Sequence, residues 1–503
     1  MKKIKQKQTK KTAEAMESAL RYQQSGNLQE AEYAYRKILR EQPNNVRASF
    51  GLAFILQQKG GAAEAIPWYQ KALKLNPEFV DALYNMGSIC HQRGQLDEAA
   101  SYYEKALQLN PQLAMAYNNL GSILQQKGRF DEAIGLYQKA LQHNPGLVSA
   151  YNNLGLAFQE KGQFEEAMGC HRKALSLQPE HPTVHFNIGV LLLMHGDYEK
   201  GWQEYEWRRK ARDYRGRNFA RPLWDGSDVS GRTILLHSEK GFEGFGDTIQ
   251  FIRYAPLLAE RGAKVVVECQ KELTSLIRNA GGVTQVVSYG EPLPEFDLHC
   301  PYLSLPAVFK TTIGSIPSKT PYITADSGLA QKWRDRTAQD ISGFKVGLVW
   351  AGNLAHPRSQ YRSCSLDQFL PLAQLDGITI YSLQKGEAAA MAKDPPAGMK
   401  VVDYTGDFND FSDAAALMEN LDLVISVDTA AAHLAGALGK PIWTLLPFVP
   451  EWRWLLDRED SPWYPTMRIF RQSSAGDWAG VIARVTDELR KIAGCSENNI
   501  NTI

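Results

Sequence analysis

A 34-residue period governs the first half of the chain. Glycine recurs at this interval, and proline recurs at the same interval in a second register. The glycines are Gly26, Gly60, Gly94, Gly128, Gly162 and Gly196, and the prolines are Pro43, Pro77, Pro111, Pro145 and Pro179. Each glycine lies between two helical patterns, where it can end the first helix in a left-handed conformation, and each proline ends the second helix. The period therefore predicts an array of helical hairpins.

This helix–turn–helix period resembles the tetratricopeptide repeat. We predict six repeats in residues 12–215. Their boundaries are 12–45, 46–79, 80–113, 114–147, 148–181 and 182–215. Small residues mark where paired helices approach closely, namely Ala53, Gly87, Gly121, Gly155 and Gly189. Such arrays stack into an all-α superhelix whose concave face suits extended peptides, so we expect the array to bind protein.

An asparagine register follows the same period, at Asn85, Asn119, Asn153 and Asn187. An amide side chain both donates and accepts, so a row of amides can hydrogen-bond a peptide backbone. Packing between helices is the alternative role. The array is similar to that of the eukaryotic O-linked N-acetylglucosamine transferase, and this resemblance implies that the four asparagines grip an acceptor peptide. Gly51 stands at the equivalent position of the second repeat.

The second half of the chain alternates short apolar runs with helical runs, which is typical of buried parallel strands in an α/β fold. We predict a connector at 216–231, Rossmann-like domains at 232–325 and 343–495, and a linker at 326–342 between them. The predicted strands are 233–238, 264–269, 284–289, 297–300, 345–352, 379–384, 401–405, 421–428 and 441–447. The lysine-rich residues 1–11 are predicted to be a disordered tail, and residues 496–503 are predicted to be a second tail.

The stretch SVDTAAAHLAGALGKP in the second α/β block predicts a phosphate site. A strand is predicted to end at Asp428, which can cap a helix that begins at Thr429. The amides of Thr429, Ala430 and Ala431 would be unpaired donors at the positive end of the helix dipole. His433, on the same face, could donate a hydrogen bond or stabilise leaving-group charge. An N-capped helix with a half-buried histidine is the alternative.

Three cations follow neighbouring predicted strands. Arg358 and Arg362 come after KVGLVWAG, and Lys385 comes after TIYSLQ. Ligands of such sheets bind at the carboxyl ends of the strands, and the guanidinium fork suits phosphate. No D-x-D triplet occurs in the chain, so we expect these cations and the helix amides, rather than a metal ion, to bind the diphosphate.

Asp247 ends a glycine-rich turn in the stretch HSEKGFEGFGDTIQFIRY. A carboxylate at this place would repel a phosphate, whereas a helix N-terminus keeps it ionised and fixed in position. Those properties suit a general base, a role worth roughly 10²–10⁴-fold in rate. A simple helix cap is the alternative.

The two motifs together resemble those of the bacterial ADP-heptose heptosyltransferase family, glycosyltransferase family 9, over residues 222–490. This resemblance implies the GT-B fold of two Rossmann-like domains and inverting transfer that needs no metal. It also implies that Asp247 is the catalytic base and that the basic residue of the family falls near Arg362. The residues that would hold the diphosphate of the donor are Asp428, Thr429, Ala430 and His433.

Composition narrows the class of protein. A net charge of +1 over 503 residues gives no bulk field for nucleic acid or an anionic membrane. No run of 18 or more apolar residues occurs, so we expect no membrane span. Six scattered cysteines without a C-x-x-C pair fit a reducing cytoplasm and argue against a zinc site. We expect a cytoplasmic enzyme with a nucleotide sugar as co-substrate and no cofactor.

Three functions agree with the sequence. The first is a glycosyltransferase that modifies a hydroxyl group of a protein held by the array. Resemblance to array-fused transferases suggests flagellin or another surface protein as that substrate. The second is a transferase that acts on a lipid-linked or polysaccharide glycan. The third is a tetratricopeptide scaffold with an inactive transferase domain.

Overall fold

The computed structural model of the chain describes residues 2–211, 214, 216–239, 244–340, 343–354 and 358–494, of which residues 2–10 are described by their backbone alone. The chain divides into two compact units, Met1–Glu180 and His181–Ile503. The first unit is helical, whereas the second carries both parallel sheets.

The first unit consists of successive helix pairs, as the period predicts. Its helices are α1 (Lys2–Gln24), α2 (Leu28–Glu41), α3 (Val46–Gln58), α4 (Ala62–Leu75), α5 (Val80–Gln92), α6 (Leu96–Leu109), α7 (Ala114–Gln126), α8 (Phe130–His143), α9 (Val148–Glu160) and α10 (Phe164–Leu177). All six periodic glycines take a positive φ, between 73° and 85°. They therefore end the first helix of each pair in the left-handed conformation, as expected.

The first residues of the chain differ from their prediction. Residues 1–11 are predicted to be disordered, but α1 begins at Lys2. The stretch contains neither glycine nor proline and is rich in lysine and glutamine, which are good helix formers. The helix of the first repeat therefore extends through it. The predicted tail at 496–503 lies outside the described residues.

Aromatic rings fill the glycine notches within the helix pairs. A Cβ atom at Gly87 would lie 2.8 Å from Tyr103, and one at Gly121 would lie 2.7 Å from Tyr137. Glycine therefore permits the close approach that the sequence predicts. The tyrosines at this register also donate hydrogen bonds of 2.8 Å to glutamines twelve residues earlier, in the pairs Tyr35–Gln23, Tyr69–Gln57 and Tyr137–Gln125.

The fifth repeat departs from this arrangement at His171. The histidine is fully buried against Gly155, where a Cβ atom would lie 2.6 Å from the ring. Neither ring nitrogen has a hydrogen-bond partner among the described residues, and neither does Oε1 of Gln159, twelve residues earlier. Burial lowers the pKa of His171 to about 4. A tyrosine at this position would reach Gln159 by the spacing that three other repeats show.

We predict that His171→Tyr stabilises the first unit, because pairing Gln159 removes a penalty of about 1–3 kcal/mol. The variant also removes a pH dependence. The pKa of His171 falls from about 6.5 in the unfolded chain to about 4 in the folded one. The wild type therefore loses stability as the pH falls from the higher value toward the lower one.

Thermal unfolding at about pH 7 and about pH 5, on either side of the ordinary histidine pKa, measures both effects. His143→Tyr, at an exposed position of α8, is the matched control. Equal losses of Tm on acidification in the wild type and in His171→Tyr would contradict this account.

The second unit begins with the predicted sixth repeat, α11 (Pro182–Met194) and α12 (Tyr198–Tyr205). Helix α12 has 8 residues, whereas the second helix of the preceding repeat has 14. Nε1 of Trp202 donates to the carbonyl of Thr311 at 2.9 Å, and Nε1 of Trp463 donates to the Tyr198 hydroxyl at 3.2 Å. The sixth repeat is therefore packed into the α/β unit, a placement that the uniform period conceals.

The first sheet is parallel, with strand order β3-β2-β1-β4. Its strands are β1 (Thr233–His237), β2 (Lys264–Cys269), β3 (Val283–Ser288) and β4 (Leu298–Pro301). Its helices are α13 (Phe245–Phe251), α14 (Ala255–Glu260), α15 (Thr274–Ile277) and α16 (Leu305–Val308). In the register, Leu235 pairs with both Val266 and His299. The structure confirms all four predicted strands.

The second sheet is also parallel, with order β10-β9-β8-β5-β6-β7. Its strands are β5 (Phe344–Val349), β6 (Ile378–Ser382), β7 (Val401–Asp403), β8 (Leu423–Val427), β9 (Ile442–Leu446) and β10 (Met467–Arg471). The helices around it are α17 (Ser327–Thr337), α18 (Ser359–Arg362), α19 (Leu370–Ala373), α20 (Ala390–Lys393), α21 (Phe411–Met418), α22 (Ala430–Ala437) and α23 (Trp478–Ile492). The direction in which strands are added to the sheet reverses between β5 and β8. The carboxyl ends of these two parallel strands therefore lie side by side.

Two elements of this domain differ from the predictions. The predicted linker at 326–342 contains α17, which Asp326 caps by accepting a hydrogen bond from the Leu329 amide at 2.8 Å. Its sequence is mostly polar because only Trp333 and Thr337 are buried. Strand β10 is not predicted because charged residues interrupt its apolar run. One of them, Arg468, pairs with Glu488 of α23.

Among the described residues, no helix is both long enough and apolar enough to cross a bilayer. Five cysteines of this part of the chain are free thiols, and Cys495 lies outside it.

Candidate functional site

The two predicted motifs meet where α13 packs on α22. A Cβ atom at Gly246 would lie 2.8 Å from Cδ2 of His433 and 3.7 Å from Cα of Ala430. Only glycine therefore fits here without displacing the histidine ring. The contact brings the aspartate that follows the glycine close to the turn after β8.

Asp247 is held by both of its carboxylate oxygens. Oδ2 accepts a hydrogen bond of 2.6 Å from the amide of Gly244, and Oδ1 accepts one from Nη2 of Arg453. The side chain remains 17% exposed. The carboxylate is therefore fixed in orientation but open to a ligand, which combines the capping role with the geometry that a base needs. The loop residues 240–243 that precede this helix lie outside the described residues.

Arg453 is the main residue of the site that the sequence analysis misses. Besides Asp247, it contacts Oε1 of Glu451 at 2.5 Å through Nη1 and Oε1 of Gln250 at 2.5 Å through Nε. Burial alone would lower the pKa of Arg453, but the charges of Glu451 and Asp247 raise it above its ordinary value. The available signal is an arginine between two tryptophans, Trp452 and Trp454, shortly after a predicted strand of the second α/β domain.

The helix at the predicted phosphate site begins one residue later than expected. Thr429, rather than Asp428, is the N-cap, and α22 starts at Ala430. The backbone of Thr429 is extended, with φ −144° and ψ 172°, because the strand direction continues through it. Its hydroxyl lies 3.0 Å from that of Ser426 instead of capping the helix. Among the described residues, no group accepts a hydrogen bond from the amides of Thr429, Ala430 or Ala431.

His433 is buried and neutral. Its Nδ1 lies 2.8 Å from the Tyr464 hydroxyl, and its ring stacks on Trp454 at 5.2 Å. Burial and the nearby charges of Arg453, Arg253 and Arg362 lower its pKa well below the ordinary value. A neutral imidazole keeps one N–H donor but supplies no charge. Of the two predicted roles, hydrogen-bond donation is the one that this environment favours.

The three predicted cations occupy different positions. Nε of Arg362 is buried, packs beside Gly352, and has no partner among the described residues. Nη2 of Arg358 donates to the carbonyl of Val449 at 3.0 Å, in the segment that follows strand β9. Nζ of Lys385 donates to the carbonyl of Thr405 at 2.8 Å, toward the β7 edge of the sheet. Arg362 is therefore the cation best placed to meet a ligand at the turn.

Arg253, from the same motif as Asp247, ties the two sheets of the unit together. It is buried, and its Nη1 donates to the carbonyl of Trp463 at 2.6 Å. Its guanidinium also lies 4.6 Å from the ring of Tyr464, the partner of His433. The motif therefore supplies a structural arginine as well as the aspartate.

The predicted peptide-binding asparagines have partners within their own units. Nδ2 of Asn119 lies 3.2 Å from the hydroxyls of both Tyr84 and Tyr103, and Nδ2 of Asn153 donates to Asn118 at 3.1 Å. The other two are Asn85, which hydrogen-bonds Tyr69, and Asn187, which is buried in the second unit. These contacts match the packing role that the sequence leaves open, and peptide binding stays a prediction.

Comparison with known proteins finds a family match in each half of the chain. The profile of the tetratricopeptide repeat family matches residues 44–112, 78–144 and 112–180. The profile described as glycosyltransferase family 9 (heptosyltransferase) matches residues 374–453, which include the phosphate turn and end at Arg453. The chain thus carries tetratricopeptide repeats followed by a glycosyltransferase family 9 domain.

One curated relative is Protein FlbA of Caulobacter vibrioides, which is 27% identical over 323 residues, covering 58% of this chain and 52% of that protein. The chain therefore spans about half the length of this relative. Solved structures similar to the repeats include MamA, at 30% identity and a TM-score of 0.30 over 34% of this chain and 92% of that one. Another is YrrB, titled a TPR protein with an unusual peptide-binding site, at 26% identity and a TM-score of 0.30 over 34% and 88% of the two chains.

Proposed function

We propose that the chain transfers a sugar from a nucleotide-diphosphate donor to a hydroxyl group of a protein, by an inverting reaction that requires no metal ion. The observation that carries this proposal is the meeting of Asp247 with the open phosphate turn at the contact between Gly246 and His433. A fixed carboxylate and a set of unpaired amide donors are the two halves that a transfer reaction needs.

The donor diphosphate would bind at the N-terminus of α22. The amides of Thr429, Ala430 and Ala431, which have no acceptor among the described residues, lie at the positive end of the helix dipole. This end of a helix favours an anion. Arg362 adds a charged donor with an unused Nε atom, and His433 adds a neutral N–H. The charge that develops on the leaving diphosphate would be stabilised by these groups, so the proposed step needs no metal.

Asp247 would act as the general base. It accepts the proton of the acceptor hydroxyl while that oxygen forms a bond to the anomeric carbon. The bond from this carbon to the diphosphate oxygen breaks on the opposite face, and its electron pair leaves with the nucleoside diphosphate. A single displacement of this kind inverts the anomeric centre.

The repeats would supply the protein acceptor, because stacked tetratricopeptide helices are suited to binding extended peptides. Following the resemblance to array-fused transferases, we propose flagellin or another surface protein as the substrate. The polar register of Asn119 and Asn153 would contact the peptide backbone, with hydrogen-bonding capacity left over from the contacts within the array.

The nucleotide site is tested by thermal unfolding with ADP, UDP, GDP, CMP and TDP. We expect one nucleotide to stabilise the protein, by about 2.7 kcal/mol at a hundred times its Kd. Arg362→Met should weaken this shift, since it removes a guanidinium whose Nε has no partner among the described residues, whereas the exposed control Arg334→Met should leave it unchanged. Absence of a shift with all five nucleotides would favour a scaffold with an inactive transferase domain.

The base is tested with Asp247→Asn, which preserves the shape of the side chain. We expect sugar transfer to fall by roughly 10²–10⁴-fold, since an amide cannot accept the proton. The nucleotide-induced shift of Tm should persist, because the amides that would bind the diphosphate lie at the N-terminus of α22. The control is Asp228→Asn, in an exposed turn before β1. Full transfer by Asp247→Asn would refute the assignment of the base.

The acceptor is tested with the double variant Asn119→Ala/Asn153→Ala. We expect lower transfer to a protein acceptor and unchanged transfer to a short glycan acceptor. The Tm of the double variant is measured on the same preparation, because loss of the packing contacts could unfold the array and would then also lower transfer to protein alone. If the wild type glycosylates only the glycan, the acceptor is a lipid-linked or polysaccharide glycan and not a protein.

A further inference from the structure

Arg453 lies in a short segment, Glu451–Asp457, that we call the arginine loop. It follows β9 of the second sheet, and its arginine reaches α13 of the first sheet. One guanidinium contacts Asp247, Gln250 and Glu451 through three different nitrogen atoms. Only a planar fork of donors can make these contacts together, so lysine could not replace it.

The backbone of the arginine loop is strained. Leu455 has φ 53° and ψ −172°, and Asp457 has φ 51°. Each such conformation costs a residue other than glycine about 1–3 kcal/mol and persists only where the surroundings impose it. Nη2 of Arg471 donates to the carbonyls of Trp454 at 3.4 Å and Leu455 at 3.0 Å, which holds the loop in this shape.

The sixth repeat supports the same loop from the other side. The ring of Trp452 meets Trp202 of α12 edge-on at 5.1 Å and Tyr205 at 6.0 Å. Both repeat residues are almost fully buried, at 3% and 5% exposure. Aromatic pairs of this geometry contribute about 0.5–1.5 kcal/mol beyond the area they bury. The position of Arg453 therefore depends on side chains of the repeat.

We infer that Arg453 is a positioning residue for Asp247 and that the sixth repeat holds Arg453 in place. This inference rests on the proposed function, in which Asp247 is the base. Arg453 and the Gly244 amide each occupy one carboxylate oxygen, so the side chain cannot rotate. Each oxygen keeps a second lone pair for an acceptor hydroxyl. The last repeat is thus part of the machinery that orients the catalytic group.

The test compares Arg453→Ala and Arg453→Lys with the wild type in full-length protein. The assay measures nucleotide release from ADP-, UDP-, GDP-, CMP- and TDP-linked sugars. We expect kcat to fall roughly 10²-fold in both variants, as for other misplaced catalytic groups, with a much smaller change in the KM of the donor. Free guanidinium should restore part of the rate in Arg453→Ala alone. Arg458→Ala, which loses only an exposed pair with Asp460, is the control.

A double-mutant cycle with Asp247→Asn separates positioning from general damage. If Arg453 acts through Asp247, then Arg453→Ala lowers the rate of the wild type but not the residual rate of Asp247→Asn. The same cycle is measured on Tm, where the loss in the double variant should be smaller than the sum of the single losses. Additive effects in both measurements would overturn the inference.

The role of the repeat is tested with Trp202→Leu, which should lower kcat as Arg453→Ala does. The matched control is Trp207→Leu, because Trp207 follows the same repeat but stacks on His185 instead of on the arginine loop. Equal effects of the two variants would overturn the role of the repeat.

The outcomes distinguish this inference from the proposed function. No nucleotide release by the wild type from any donor would defeat the proposed function, and the cycle on Tm would then decide whether residues 247 and 453 are coupled. Release by the wild type that survives in Arg453→Ala would defeat the inference and leave the proposed function standing.

Discussion

The close approach of α13 to α22 at Gly246 is the contact on which the site depends. It places the helix that carries Asp247 against the helix that carries His433, although the two belong to different sheets. A Cβ atom at Gly246 would lie 2.8 Å from the histidine ring, so the ring or one of the helices would have to shift. The small residue is therefore what lets a fixed carboxylate lie close to the open turn after β8.

Three arginines lie near the neutral imidazole ring of His433 at this contact. Arg253, Arg362 and Arg453 all act on His433, and together with burial they keep it uncharged. Arg253 donates to a carbonyl group and Arg453 to carboxylates. Nε of Arg362 has no partner among the described residues. An anion entering the site would meet positive charge that the fold has already desolvated, so little reorganisation would accompany binding.

Much of this structure can be predicted from the sequence, because the features that define it are local. The periodic glycines take the left-handed conformation because a tight turn requires it, and β1 and β2 are recognisable because both of their faces are buried. Features that depend on distant partners are missed. Helix α17 is too polar to recognise, since Trp333 is its one buried apolar residue, and Arg453 contacts Asp247 only where elements of two sheets meet.

The boundary between the two units falls inside the repeat array, at residue 181, and not at its predicted end at residue 215. Five repeats therefore form one unit, while the sixth contributes Trp202 and Tyr205 to the packing of the other. Repeats on the N-terminal side of this boundary make none of those aromatic contacts. A change in the number of repeats before this boundary would leave the contacts of Trp202 and Tyr205 with Trp452 in place, whereas loss of the sixth repeat would remove them.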